Sequence, residues 1–186
     1  GASKTVLTDK QVQKYVKELG YSPSELEFLF NRFRYLCKSG DGELSRQDVA
    51  ANTHLAGNKY VSRLYNVLPK NGHGCVTFDS FVRKAAVFRA EKPLDSKLDF
   101  IFDLFDYNMD DTLDPKELKE MIQLAKPDLP EAETDELVSS TIKDILSKSS
   151  NPRKDGAVRR GDFIEYGRQL PGIDKLLSLN LVQYLS

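Results

Sequence analysis

One short pattern recurs four times along this chain and constrains its fold more than any other feature. A polar loop carries a turn residue; two positions later comes a single aliphatic residue, and then a new helix start. The aliphatic residues are Leu44, Val76, Leu113 and Val158. The turn residue is glycine in three units, Gly42, Gly74 and Gly156, and Asp111 in the remaining one. Glycine reaches positive φ without a steric penalty, so the chain can reverse sharply at such a point. Repetition of helix, tight loop, lone aliphatic and second helix predicts four helix–loop–helix units. The lone aliphatic marks where two neighbouring loops form a short β-bridge, so four units predict two pairs and two lobes.

Helix signals supply the rest of the framework. Thr8 with Gln11 reads as a capping box, and Gly20 as a stop. Ser22-Pro23-Ser24-Glu25 joins an N-cap, a proline at the first helical position and a glutamate three residues on. Leu26, Leu29, Phe30, Phe33 and Leu36 then recur at helical spacing. Further starts are Asp114-Pro115-Lys116-Glu117 and Pro130-Glu131, and long alternating strand patterns are absent. The expected fold is all-α. Residues 1–21 form an N-terminal extension and helix, 22–92 an N-lobe of two units, and 93–170 a C-lobe of two more. Residues 171–186 form an apolar tail that includes Ile173, Leu176, Leu177, Leu179, Leu181, Val182, Tyr184 and Leu185. Between the lobes Pro93 breaks a linker running from Ala90 to Asp95.

Composition narrows the function classes. About 40% of the 186 residues are hydrophobic, enough for a real core. No apolar run reaches the roughly 18 residues of a spanning helix, and no cleavable apolar leader opens the chain. Two cysteines, Cys37 and Cys75, make neither a disulfide framework nor a zinc site and read as reduced cytosolic thiols. The net charge of −1 hides an asymmetry: residues 1–93 carry 15 Lys/Arg against 9 Asp/Glu, and residues 94–186 carry 12 against 19. The acidic half is where a divalent cation is expected. The basic residues of the first half are scattered, which argues against nucleic-acid binding and for ordinary solvated faces.

Only one loop has the chemistry to hold calcium, a hard cation that takes about six to eight oxygens from a loop of about twelve residues. The stretch from Asp106 to Glu117 places Asp106, Asn108, Asp110, the carbonyl of Thr112, Asp114 and Glu117 at the first, third, fifth, seventh, ninth and twelfth positions. Glu117 can ligate with both oxygens, which favours Ca²⁺ over the smaller Mg²⁺; Mg²⁺ at rest is the alternative occupant. Asp111 stands at the sixth position, where glycine is usual. Aspartate tolerates the left-handed region better than most residues, so binding is expected to survive, weakened, with Asp111 pointing away from the ion.

The other three loops fail on chemical grounds. From Cys37 to Asp48, the first position is a neutral thiol and the third is Ser39, and Asp41 and Asp48 do not make up the deficit. From Pro69 to Ser80, the ligand positions include Pro69, Asn71, His73 and Ser80 and hold no carboxylate. Counted back from Gly156, the last loop runs from Asn151 to Asp162, with Arg153 and Arg159 at the third and ninth positions and Asp155 at the fifth. Two arginines are hostile to a cation. The stretch from Ser147 to Pro152 also reads as an insertion. These loops are expected to persist as scaffolding through their bridges.

The chain thus resembles the EF-hand proteins, and within them the calcineurin B-like branch. That branch includes calcineurin B, the calcineurin B homologous proteins and the calcium- and integrin-binding proteins. The resemblance rests on the opening Gly1-Ala2-Ser3-Lys4-Thr5 and on the helix from Ser24-Glu25-Leu26 to Arg32-Phe33-Arg34. It rests also on Lys97-Leu98-Asp99-Phe100-Ile101-Phe102-Asp103-Leu104-Phe105-Asp106 and on Phe163-Ile164-Glu165-Tyr166. The N-terminal helix and Leu170-Pro171-Gly172-Ile173 lean towards the calcium- and integrin-binding group. In this branch the last two loops bind metal; here the fourth departs, which argues for one ion and against two-site cooperativity.

The resemblance implies a non-enzymatic regulatory or adaptor protein that takes an amphipathic helix of its target in an apolar groove. The target would be a membrane-protein tail, a kinase or a phosphatase subunit. Phe30, Phe33, Phe81, Val87, Phe102, Phe105, Met121, Ile122 and Phe163 lie on the relevant faces, with plain core packing as the competing reading. The apolar tail either folds into that groove in the absence of a target or completes the core. With an initiator methionine removed, Gly1 and Thr5 fit the N-myristoylation pattern, which would attach a cytoplasmic protein to the inner face of a membrane; a protease-cleavage remnant is the other source of a leading glycine. A regulatory subunit dedicated to a calcineurin-type phosphatase ranks second, since such a subunit is expected to keep more intact loops. A calcium buffer or a metal-independent scaffold ranks lower. His54 and His73 have no partners at catalytic spacing, and neither a phosphate-binding glycine loop nor a nucleophile elbow occurs.

Overall fold

The computed structural model of the chain describes residues 6–54, 60–89 and 91–170, which fall into two compact units, one ending at Arg89 and one beginning beyond it. Gly1 and the tail from residue 171 onward lie outside the described residues, and with them the lipidation and tail-docking expectations.

In the first unit the capping signals act where the sequence places them. Thr8 and Gln11 close a reciprocal capping box on α1 (Asp9–Leu19), and Gly20 ends the helix at φ 77. Ser22 and Glu25 do the same for α2 (Pro23–Leu36), with Pro23 in the first turn. Each box satisfies two amides that a helix start leaves orphaned. Then follow α3 (Arg46–His54), α4 (Tyr60–Val67), α5 (Phe78–Ala85) and a single 3₁₀ turn, Ala86–Phe88. The apolar stripe of α2 meets α5 in an aromatic core. Phe33 stacks on Phe81 with centroids 5.1 Å apart, Phe30 meets Phe78 edge-on at 5.1 Å, and Tyr15 of α1 meets Phe78 edge-on at 6.0 Å. Burying each such ring contributes roughly 1.5–3 kcal/mol. Leu44 and Val76, both fully buried, form the expected antiparallel bridge, each amide donating to the other's carbonyl at 2.9 Å.

The second unit repeats the plan. It contains α6 (Leu94–Phe105), β1 (Thr112–Leu113), α7 (Pro115–Ala125), α8 (Glu131–Lys148), β2 (Val158–Arg159) and α9 (Arg160–Arg168). β1 and β2 run antiparallel, pairing Thr112 with Arg159 and Leu113 with Val158. α6 packs on α9 and α7 on α8. Phe102 lies against Phe163 at 5.8 Å, and Leu98, Phe105, Leu113, Ile145 and Val158 are buried in the same unit. The all-α expectation is met: among the described residues β-structure is confined to the bridge between Leu44 and Val76 and the two-rung ladder that pairs Leu113 with Val158 and Thr112 with Arg159.

Candidate metal centre

The loop from Asp106 to Glu117 is shaped by the elements on either side of it. α6 ends at Asp106, whose amide still donates to the Phe102 carbonyl at 2.9 Å. The chain turns through Met109 at φ 54 and Asp111 at φ 62 and enters β1 at Thr112. Asp114 then caps α7 and Glu117 closes its capping box: Asp114 Oδ1 accepts from the Glu117 amide and Glu117 Oε1 from the Asp114 amide, both at 2.9 Å. The ninth and twelfth positions therefore start a helix as well as offering oxygens. Asp111 adopts the left-handed conformation that the sixth position demands, and its carboxylate is turned to Arg160.

The carboxylates face the loop's own amides. Asp106 accepts from the amides of Asp110 and Asp111 at 3.3 and 3.0 Å. Asp110 accepts from the amide and hydroxyl of Thr112 at 2.9 and 2.8 Å, and from the Asn108 side chain at 3.1 Å. Glu117 Oε2 accepts from the Tyr107 amide at 2.6 Å. Among the described residues no three acidic, His or Cys side chains stand close enough together to share one ion; the oxygens of Asp106, Asp110 and Glu117 are held by neighbouring N–H and O–H groups.

Two of the loop's carboxyls are buried. Glu117 is 3% exposed and Asp106 7%. Burial, then repulsion from Asp114, Asp106 and Asp110, pushes the Glu117 carboxyl up to about 7 against the pull of the Asp114 amide. Burial likewise raises Asp106, with Asp110 adding to it. Asp110 moves the other way, its burial outweighed by the hydrogen bonds from Thr112. Asp106 and Glu117, pushed towards protonation chiefly by burial, together with Asn108, Asp110, Asp114 and the Thr112 carbonyl, offer oxygen donors only, a chemistry that suits a hard divalent ion.

The other loops are closed by their own side chains. In the first, Asp48 is 2% exposed and accepts from the amides of Ser39 and Ser45, at 2.7 and 2.8 Å, and from both serine hydroxyls. In the second, Asn71 Oδ1 accepts from the amides of His73 and Cys75, and its Nδ2 donates to Glu43 of the first loop. In the last, Arg153 pairs with Asp155, Arg159 donates to the Asn151 carbonyl, and Ser149 donates to Asp162. Serine donors in one loop and guanidinium groups in another stand where an ion's positive charge would draw the oxygens in.

Of the residues proposed for a partner groove, Phe30, Phe33, Phe81, Phe102, Phe105 and Phe163 are buried, while Val87, Met121 and Ile122 are half-buried. The six phenylalanines belong to the core of their own unit. Sequence reasoning missed the Asp48 hub and the contacts of Arg160. The signals were present: serines at both ends of the first loop facing an acid, and an unusual acid at the sixth position of the third loop matched by an arginine beside the paired strand. Among the described residues no helix is long and apolar enough to cross a membrane.

No family model matches the chain. Curated proteins do. The calcineurin B subunit of Naegleria gruberi is 27% identical over 143 residues, which is 76% of this chain and 81% of that protein. The type 1 calcineurin B subunit of Dictyostelium discoideum is 25% identical over 181 residues, 97% of this chain and 98% of that protein. The calcineurin B subunit of Schizosaccharomyces pombe is 25% identical over 131 residues, 70% and 75% of the two chains. Likeness of this reach, joined to four helix–loop–helix units whose loops pair through the four aliphatic residues, supports an EF-hand fold similar to that of the calcineurin B subunits.

Proposed function

We propose that the chain is a calcium-binding, non-catalytic regulatory subunit of a calcineurin-type phosphatase, with one ion site in the loop from Asp106 to Glu117. The observation that carries this is the end-to-end likeness to a type 1 calcineurin B subunit, over 97% of this chain. It reverses the order drawn from the sequence, in which a general adaptor came first and the phosphatase subunit second. Asp106, Asn108, Asp110, Asp114, Glu117 and the Thr112 carbonyl hold the ion. Calcium supplies the positive charge that the converging carboxylates lack. Asp106, Asp110 and Glu117 each turn an oxygen inward, exchanging an amide hydrogen bond for the cation. An amphipathic helix of the catalytic subunit is the partner.

The test is co-purification of the full chain with a calcineurin-type catalytic subunit, in calcium and in chelator, alongside calorimetric titration of the metal-free chain in excess magnesium. A stoichiometric complex and one calcium site, lost in Glu117→Gln, support the proposal. A calcium site without the complex returns the general adaptor to first place. That second reading keeps one observation in its favour: three of the four loops are closed by protein groups.

A further inference from the structure

We propose that Arg160, supplied by the unit whose own loop lacks a calcium donor set, is the positioning residue that holds Asp111 in the turn of the third loop and so pre-sets that loop. The inference rests on the reading of this loop as the calcium site. A residue with a Cβ is disfavoured at φ 62, where glycine would be at ease, so something must hold Asp111 there. The two-rung ladder brings the holder. Thr112 pairs with Arg159, which sets the next residue, Arg160, beside Asp111 at the start of α9.

The guanidinium uses all three of its nitrogens. Nε donates to Asp111 Oδ1 at 2.9 Å, and Nη2 lies 2.8 Å from the same oxygen. Nη1 donates to Asp99 Oδ1 at 2.9 Å and to the Asp99 carbonyl at 3.3 Å. Nη2 also donates to Asp103 at 2.7 Å. The group lies over the Phe102 ring at 4.4 Å. Asp99 and Asp103 are one turn apart on α6, and Asp103 stands three residues before Asp106. One arginine thus fastens the apex of the loop to the helix that enters it. The Arg160 side chain is 28% exposed, which screens these bonds less than an ordinary surface pair. Held this way, Asp111 stays out of the ring of ligands and its backbone cannot relax to negative φ. An anchored aspartate replaces a permissive glycine.

A purely structural role, tying α9 to α6 through Asp99 and Asp103, would leave Asp111 irrelevant, and this separates the two ideas. The test uses the full chain as wild type, Arg160→Lys, Asp111→Gly and the double variant. Lysine keeps the charge but cannot span three carboxylates. The first measurement is hydrogen exchange of the Asp110, Asp111 and Thr112 amides in metal-free protein. Arg160→Lys should speed it about three- to tenfold when Asp111 is present and less than about twofold in the Asp111→Gly background. An equal acceleration in both backgrounds, or none in either, overturns the proposal. The second is calcium titration, where Arg160→Lys should weaken binding about three- to tenfold only when Asp111 is present. Calcium binding unchanged in Glu117→Gln beside wild type would sink the calcium reading, while the exchange rates still decide the role of Arg160.

Discussion

Gly167 of α9 sits so tightly against Leu98 of α6 that a β-carbon there would stand 2.6 Å from Leu98 Cδ2 and 2.8 Å from Cδ1. Leu98 is itself 1% exposed and hemmed in by the core, so it has little room to yield. Gly167→Ala gains about 1 kcal/mol of helix propensity but overpacks the joint at a cost of about 1–3 kcal/mol. The variant should unfold at lower urea concentration than wild type, and the loss should vanish in a Leu98→Ala background. A raised midpoint for Gly167→Ala would show that α6 and α9 can part without penalty.

Glu117 has two roles that a single substitution separates. Glutamine still accepts the Asp114 amide, so Glu117→Gln should keep the α7 capping box and the helical signal. It removes the charge and one anionic oxygen that an ion requires. Wild type should gain about 2.7 kcal/mol of stability with calcium at a hundred times its Kd, and the variant almost none. Thermal unfolding with and without calcium reads this directly, and equal shifts in the two proteins would place the site elsewhere.

Asp48 closes the first loop with four hydrogen bonds from Ser39 and Ser45. Asp48→Ala leaves those donors without their acceptor and should cost about 2–4 kcal/mol. Because no ion is needed in that loop, calcium should not restore what is lost. Recovery of the variant by calcium would mean that the first loop holds a cation after all.

Asp79 should contribute to acid sensitivity in the first unit. Burial raises its carboxyl, but hydrogen bonds from Arg83 and Tyr15, with Arg83 and Lys14 charges nearby, prevail and hold it below the ordinary carboxylate value. A depressed folded-state value means that the ionised group stabilises the fold above its unfolded value of about 3.9, and that this is lost as pH falls through the folded value. Wild type should therefore be more stable than Asp79→Asn near neutrality, and the gap should close below about pH 4. Denaturant unfolding across pH 3–7, in steps of about one unit, makes the comparison; a gap that widens in acid would refute the assignment.

What could be read without coordinates was whatever depends on near neighbours in sequence. Capping boxes span three residues, so Thr8–Gln11, Ser22–Glu25 and Asp114–Glu117 were legible, as was Asp111 in the glycine position. Leu44–Val76 and Leu113–Val158 were legible despite their separation because the repeat fixes their register. The contacts of Arg160 with Asp99, Asp103 and Asp111 were not, since they link residues 49 to 61 positions apart through a ladder whose geometry had first to be known. Apolar residues at helical spacing reveal a buried face without saying whether its neighbour is the same chain or a partner. Phe30, Phe33 and Phe102 carry that ambiguity: helical spacing marks them as inward-facing, and they are buried in the described structure.

The two-rung ladder in the second unit makes the third and fourth loops a single mechanical part. The carbonyl offered at the seventh position belongs to Thr112, and Thr112 is joined rung to rung with Arg159, one residue before α9 begins. Any pull that draws Thr112 inward drags the root of α9 with it. With its own Asp155 and Asp162 taken up by Arg153 and Ser149, the fourth unit still receives the motion second-hand, as a lever on its neighbour's hinge.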